Sequence, residues 1–412
     1  MRVLYEADLA GSKIHGMAYR IFQFCEEFGK RGNKTLIVAA SFSHVRHTNP
    51  STTGEITEEI IEGIPYWWIK TPFYKGNGIR RVIHQIVYNI KLFLHAKKIA
   101  DHFSPDIVIS SGVTPFESFG CKRIARLSKA KLIYEVGDLW PLTPIELGGV
   151  SKWNPYILMM QVAENYAYRN CDAVVSLLPC AESYMIQHGL SKGKFNCIPN
   201  GIIVKDWDES KELPEEFILL ISNLKKEGRF LIGYAGSLSL ANSLNYAVEA
   251  FGQLENKKID FIIVGKGAEE EELKSIVSHK GYCNIHFLPS ISKDKIPAYL
   301  SQMDALYVGF KNQSLYRFGI SPNKIFDYMM AGKPILQAIE AGNDITAMAH
   351  CGISIKAENI EELKKAAESI KDMSITKREE LGQNGKLYVM KNHSYDVLVA
   401  KYLGIMSKLK SN

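Results

Sequence analysis

The chain has few cysteines and no pattern that would pair them. The seven, Cys25, Cys121, Cys171, Cys180, Cys197, Cys283 and Cys351, stand singly. With no CxxC, neither a disulfide framework nor a zinc site is indicated, and a reducing compartment is expected. No run approaches the ~20 apolar residues that span a bilayer. The opening MRVLYEADLA carries charges within what reads as a strand, and it lacks the apolar stretch and cleavage site of a signal peptide. No GxGxxG follows either leading strand, since Gly11 and Gly16 have the wrong spacing, and this argues against a nicotinamide dehydrogenase. No GxxxxGK[ST] occurs, so there is no P-loop. The close pair Asp206 and Asp208 falls in a polar stretch rather than a metal-binding motif. No catalytic metal and no nucleic-acid partner are expected.

What is present is the composition of a globular protein, 46% hydrophobic and 23% charged over 412 residues, enough for two or three domains. The net charge of +6 is uneven. Residues 1–205 carry 24 Lys+Arg against 17 Asp+Glu, whereas residues 206–412 carry 26 against 27. A basic first half favours an anionic partner or membrane surface over what is otherwise a solvated charged face.

The first half alternates strand and helix. MRVLYEA, a loop with Gly11, His15 and Gly16, a helix striped by Met17, Ile21, Phe22, Cys25 and Phe28, and KTLIVAAS make a βαβ start. In SFSHVRHTNP, His44, Arg46 and His47 read as a solvated polar loop. Residues 78–103 predict a basic amphipathic helix with a stripe of Ile83, Ile86, Val87, Ile90, Leu94 and Ile99; most such helices cover a sheet, and a minority also touch anionic lipid. Asp138 follows the strand KLIYEV at its carboxyl end, where open α/β sheets place ligands. The polar stretch KDWDESKELPEEF reads as a linker. The alternation then restarts with FLIGYAG, a helix starting near Ser239 to Asn242, IDFIIVG, NIHFLPS and ALYVGF. The fold class expected is α/β, two doubly wound Rossmann-like domains facing a cleft. Residues 1–205 form one domain, residues 206–392 the other, and a C-terminal helix, 393–412, rejoins the first.

The densest chemistry lies in YRFGISPNKIFDYMMAGKPI, Tyr316 to Ile335. Ser321 suits an N-cap and Pro322 the first helical position, while Ala331-Gly332 and Pro334 end the helix. Amides at such a helix start attract phosphate, Lys324 adds a cation, and Asp327 could accept from ribose hydroxyls. The loops Gly236-Ser237, Gly265-Lys266-Gly267, Leu288-Pro289-Ser290 and Arg317 to Lys324 all follow strands. Their glycines permit close backbone approach to a nucleotide diphosphate.

Seven ordered motifs, HGMAYR, SFSHVR, EVGDLWP, IPNGI, GYAGSL, IVGKG and SPNKIFDYMMAGKPI, resemble family-4 glycosyltransferases of the GT-B fold over nearly the whole length. The resemblance is greatest to bacterial O-antigen and capsule transferases of the N-acetylfucosamine type. It implies retaining, metal-independent transfer from a nucleotide sugar, a UDP-sugar, to a lipid-linked saccharide or glycan. It also implies a cytoplasmic protein, peripheral on the inner face of the membrane. Carried over, Gly16, Gly236, Ser237, Gly265, Lys266, Gly267 and Pro289 line the donor site, and Asp138 sits near the transferred sugar. Ile320, Ser321, Pro322 and Asn323 hold the pyrophosphate, and Asp327 binds the ribose. Departures from the family pattern are specific. Its first glutamate falls at Gly319, its Arg and Lys after the first strand of the second domain fall at Ser237 and Asn242, and a frequent His or Arg falls at Gly137. The cation for the leaving diphosphate then comes from Lys266, Arg317 or Lys324. An epimerase on the same fold and a non-catalytic nucleotide-sugar-binding subunit are the competing readings.

Overall fold

The computed structural model describes residues 1–16, 19–76 and 78–411. Met17 of the expected stripe, Ala18 of the HGMAYR motif and Asn412 of the expected last helix lie outside the described residues. The chain forms two compact units, Met1–Asn200 with Tyr395–Asn412, and Gly201–Ser394.

In the first unit the strands are β1 (Arg2–Glu6), β2 (Lys34–Ala40), β3 (Ile56–Ile61), β4 (Ile64–Ile69), β5 (Ile107–Ser110), β6 (Lys131–Val136), β7 (Ala173–Ser176) and β8 (Phe195–Cys197). They form one sheet in the order β3-β4-β2-β1-β5-β6-β7-β8, parallel except for the β3/β4 hairpin. The order reverses between β1 and β5, so the switch point lies at their carboxyl ends. In the second unit, β9 (Phe230–Ala235), β10 (Ile259–Val264), β11 (Ile285–Leu288), β12 (Ala305–Gly309), β13 (Ile335–Ala338) and β14 (Gly352–Ile355) give the order β11-β10-β9-β12-β13-β14, with its switch between β9 and β12.

Both faces of the second sheet are covered. Alternate residues of each strand go to opposite sides. Leu231, Ile262, Leu306 and Ile335 join a core built with Phe217, Tyr299, Phe326 and Met329. Ile232, Tyr234, Phe261 and Tyr307 join another built with Val248, Phe251, Leu363 and Ile370. This two-sided burial is why the strands read as unbroken apolar runs.

Several local expectations need correction. The polar stretch read as a linker contains the helix Lys205–Asp208 and the start of the helix Glu215–Lys226. Phe217 of the latter is fully buried, so its apolar stripe outweighs the polar flank. After β9 the chain makes a 3₁₀ turn, Leu240–Asn242, and the helix Leu244–Gly252 begins only after Ser243 adopts a left-handed φ of 44°.

The helix Ile79–Phe103 turns most of its expected stripe outward and keeps only Ile99 of it inside. It buries His84, Tyr88, Leu92, Ala96, Ile99 and Phe103, whereas Ile83, Ile90 and Leu94 are 49%, 54% and 65% exposed. Hydrogen bonds select that face. The Tyr88 hydroxyl donates to Glu6 at 2.9 Å, and His84 Nδ1 bonds the Pro72 carbonyl at 2.8 Å.

The C-terminal helix Tyr395–Ser411 packs on the helix Tyr19–Lys30 through Phe24, Phe28, Tyr395 and Tyr402. Beneath this contact Glu135 of β6 is buried. It accepts from Arg20, from the Tyr5 hydroxyl at 2.6 Å, from Ser111 at 2.9 Å and from the Tyr402 hydroxyl at 3.1 Å. Burial pushes its carboxyl up, and the charge and hydrogen bonds of Arg20, with those of Tyr5 and Ser111, overcome this and hold it below the ordinary range. Its stabilising contribution is therefore present above the unfolded carboxyl's pKa and lost as pH falls through the folded one. Arg20 also donates to the Ile198 and Pro199 carbonyls. Replacing Arg20 by Met strands Glu135 and should cost roughly 3–5 kcal/mol in the first unit's denaturant transition, with R20M/E135Q recovering much of it. A loss below ~1 kcal/mol for R20M would show that the pair is not holding this unit together.

Candidate active site

The switch point of the second unit is built from the end of β9, the end of β12 and the helix Asn323–Met330. Tyr328 anchors that helix: its hydroxyl accepts from the Ala235 N–H at 2.8 Å and donates to the Ala235 carbonyl at 3.2 Å. Pro322, not Ser321, is the N-cap, one residue later than expected, and it offers no capping side chain. The helix ends at Ala331, with Gly332 at a φ of 66°.

Of the four expected phosphate-binding amides, the geometry changes two. Pro322 has no N–H to give, and the Ile320 N–H is taken by Asn343 Oδ1 at 2.7 Å. The orphan donors of the first helical turn are those of Asn323 and Lys324.

Lys324 reaches back across the switch point. Its Nζ donates to the Tyr234 hydroxyl at 2.9 Å and to Asn242 Oδ1 at 2.5 Å, and it stands 4.7 Å from the Tyr234 ring centroid and 5.7 Å from that of Phe310. Among the described residues it has no carboxylate partner. Desolvation pushes its pKa down to about 7. The other proposed cations differ. Arg317 is exposed, donates to the Ser314 carbonyl and lies over Phe318. Lys266 is exposed, and its carbonyl accepts from Leu238 N–H.

The glycines serve the loops themselves. A Cβ at Gly265 would overlap the Gly236 carbonyl, and one at Gly267 the Leu238 backbone. At both positions the space a side chain would need is filled by the 236–238 loop. At Gly236 a Cβ would lie 3.1 Å from the Tyr234 hydroxyl and 3.3 Å from Lys324 Nζ. Ser237 and Pro289 are exposed at this end of the sheet.

Asp327, one turn along, borders a small pocket with Ile202, Asp206, Trp207, Lys293 and Pro297. Burial pushes its carboxyl up to about 6, with Lys293 opposing and Asp206 adding to the shift. In the sequence, Asp206 and Trp207 read only as part of the polar stretch KDWDESKELPEEF.

In the first unit, a pocket at the ends of β5 and β6 is lined by Arg20, Ser111, Glu135, Gly137, Asp138 and Trp140, among others. Asp138 is exposed at its mouth, and the protein around it raises its carboxyl. Arg20 and Glu135 fall inside the motifs HGMAYR and EVGDLWP, but nothing in either motif marks them as a pair, because an ion pair 115 residues apart leaves no local pattern. Gly16 closes a turn on the Ser12 carbonyl at a φ of 74°, and the His47 ring occupies the space a Cβ would need. Arg46 is buried rather than solvated. It donates to the Ala10, Ala40 and Asp8 carbonyls, which replace the water it has lost. Nearby Glu6 is pushed up to about 8 by burial and by the neighbouring Asp8. Among the described residues, no three His, Cys, Asp or Glu side chains cluster as metal ligands would.

Solved structures superpose on this chain along its whole length. Sucrose-phosphate synthase from Thermosynechococcus elongatus superposes with a TM-score of 0.73 at 13% identity, covering 100% of both chains. The chain has the GT-B fold. Anabaena HepE, solved in complex with UDP-glucose, gives a TM-score of 0.66 at 16% identity over 100% of both chains. WaaG, a glycosyltransferase involved in lipopolysaccharide biosynthesis, gives 0.66 at 14% identity over 98% of this chain and 99% of its own. Within the GT-B chain, residues 218–388 match the family described as glycosyl transferases group 1. No curated protein sequence matches the chain.

The elevated Asp327 pKa makes its ionised form unfavourable in the fold. Stability is unaffected below about pH 4 and falls as pH rises toward 6. Asp327→Asn should therefore match wild type at low pH and exceed it by roughly 1–2 kcal/mol near neutrality, read by urea unfolding at several pH values. Identical pH profiles would mean that the carboxylate is fully hydrated.

Proposed function

We propose that this chain is a retaining, metal-independent glycosyltransferase. It moves a hexosyl or N-acetylhexosaminyl group from a UDP-linked donor to a lipid-linked saccharide or glycan, in the assembly of a bacterial surface polysaccharide of O-antigen or capsule type. The observation that carries this reading is Lys324: an ammonium without a counter-charge among the described residues, beside two orphan helix amides, at the switch point of the unit in which residues 218–388 match group 1. Breaking the anomeric bond puts negative charge on the departing diphosphate. Preorganised donors aimed at that charge are each worth roughly 3–4 kcal/mol in such sites. The acceptor hydroxyl attacks from the face the diphosphate leaves and passes its proton to a diphosphate oxygen, so no side-chain base is needed. Asp327 accepts from the ribose, and Asp138 from a sugar hydroxyl.

Thermal shift against a panel of nucleotide sugars tests the donor class. A true donor at a hundred times its Kd should stabilise by about 2.7 kcal/mol. Asp327→Asn should lose part of that shift, and Lys324→Ala should lower turnover more than donor affinity. Sugar transfer to a lipid-linked acceptor supports the proposal. Product without acceptor points to an epimerase, and binding without turnover points to a partner subunit.

The same reading makes the protein peripheral on the cytoplasmic face of the membrane. None of the described helices is long and apolar enough to cross one. The support is the outward face of the helix Ile79–Phe103, where exposed Ile79, Ile83, Ile90 and Leu94 lie among exposed Arg80, Lys97 and Lys98, with Arg81 partly covered. Binding to anionic vesicles should fall with added salt and lose roughly fivefold for each of these charges removed. Ile83→Ser with Ile90→Ser should weaken it without altering the salt slope. Equal binding to neutral vesicles would remove the electrostatic part.

A further inference from the structure

We propose that Tyr234 and Asn242 are positioning residues that hold the Lys324 ammonium at the β9/β12 switch point as the cation of a diphosphate subsite. This rests on the glycosyltransferase reading and adds to it the two side chains that aim the cation.

The hydrogen-bond network leaves each group one role. The Tyr234 hydroxyl donates its only proton to the Ser237 carbonyl at 2.7 Å, so toward Lys324 it acts as an acceptor. Asn242 donates through Nδ2 to the Ser237 carbonyl and to Ser239 Oγ, both at 2.9 Å. Those acceptors fix the orientation of the amide and turn Oδ1 toward Nζ. Both positioning side chains are themselves buried. Tyr234 is held in β9, and Asn242 in a 3₁₀ turn whose Ala241 carbonyl accepts from the Lys311 N–H just beyond β12. Two of the three ammonium protons are thus committed to neutral oxygens, and the third has no partner among the described residues.

A cation solvated this way is incomplete. Two neutral acceptors and two ring faces orient it without cancelling its charge, and burial lowers its pKa to about 7. A carboxylate would have stabilised it more, but it would also have occupied the place of an anionic ligand. The orphan amides of Asn323 and Lys324 belong to the same helix start. The arrangement also accounts for the departure at position 242. Where the resembled family carries a lysine, this chain carries the acceptor for a lysine supplied from the helix Asn323–Met330, 82 residues further on.

Linkage sets the sign. A diphosphate raises the Lys324 pKa, so affinity is full below about 7 and falls as pH rises above it. The test measures binding of UDP, uridine and inorganic diphosphate by calorimetry across pH. Tyr234→Phe and Asn242→Ala should each weaken UDP by about tenfold, the scale of a hydrogen bond to a charged group, and leave uridine unchanged. Asn242→Asp keeps the acceptor but adds a counter-charge. It should also weaken UDP and move the pH step upward, which a purely structural role would not do. The exchange N242K/K324N should retain UDP binding that K324N alone loses. Unchanged UDP affinity in both single variants, or parallel loss of UDP and uridine, overturns the proposal. A wild-type chain that binds diphosphate but no nucleotide, with diphosphate still weakened by these substitutions, keeps the subsite and removes the glycosyltransferase reading. A wild-type chain that binds neither removes both.

Discussion

Strands buried on both faces leave a parallel sheet only its ends for polar chemistry. That constraint organises both units. In the second, every strand residue from Phe230 to Ala235 and from Ile259 to Val264 is buried. The polar groups that matter follow the last residue of a strand, reach it from a neighbouring helix or, like the Tyr234 hydroxyl, extend to it from within the strand. Tyr328 shows how tightly this is enforced: one hydroxyl serves both the N–H and the carbonyl of Ala235, where β9 stops pairing. The helix that carries Lys324 and Asp327 is therefore registered against the strand end by a bond independent of any ligand.

The alternation of strand and helix was legible in the sequence because a doubly covered sheet writes itself as short, separated apolar runs. KLIYEV was recovered to the residue as β6. Motifs such as SPNKIFDYMMAGKPI were legible for a different reason, since their residues are contiguous in the chain. What stayed hidden was pairing across long sequence separations. Nothing near Arg46 announces that three carbonyls will solvate it, and nothing near Lys324 announces an acceptor 82 residues earlier. Gly265 and Gly267 do occur where backbone must come close, and the loop after β9 lies against both.

The helix Ile79–Phe103 shows why periodicity alone can choose the wrong face. It carries apolar residues on two opposite sides. The aliphatic side has the stronger hydrophobic signal, yet the side with Tyr88 and His84 goes inward, because these can satisfy buried polar partners that isoleucine would leave stranded. Transfer free energy ranks the faces one way and hydrogen-bond accounting ranks them the other, and the second decides.

The return of the C-terminal helix to the first unit has a consequence for the order in which the protein matures. Glu135 waits for the Tyr402 hydroxyl across 267 residues of chain. The aromatic seat for that helix, Phe24 and Phe28, leaves the ribosome earlier still. The second unit is continuous and has all its strands in hand once residue 355 emerges. The unit whose synthesis starts first is thus the one completed last. During the interval its aromatic surface and buried carboxylate are open to water, and to whatever chaperone meets the nascent chain.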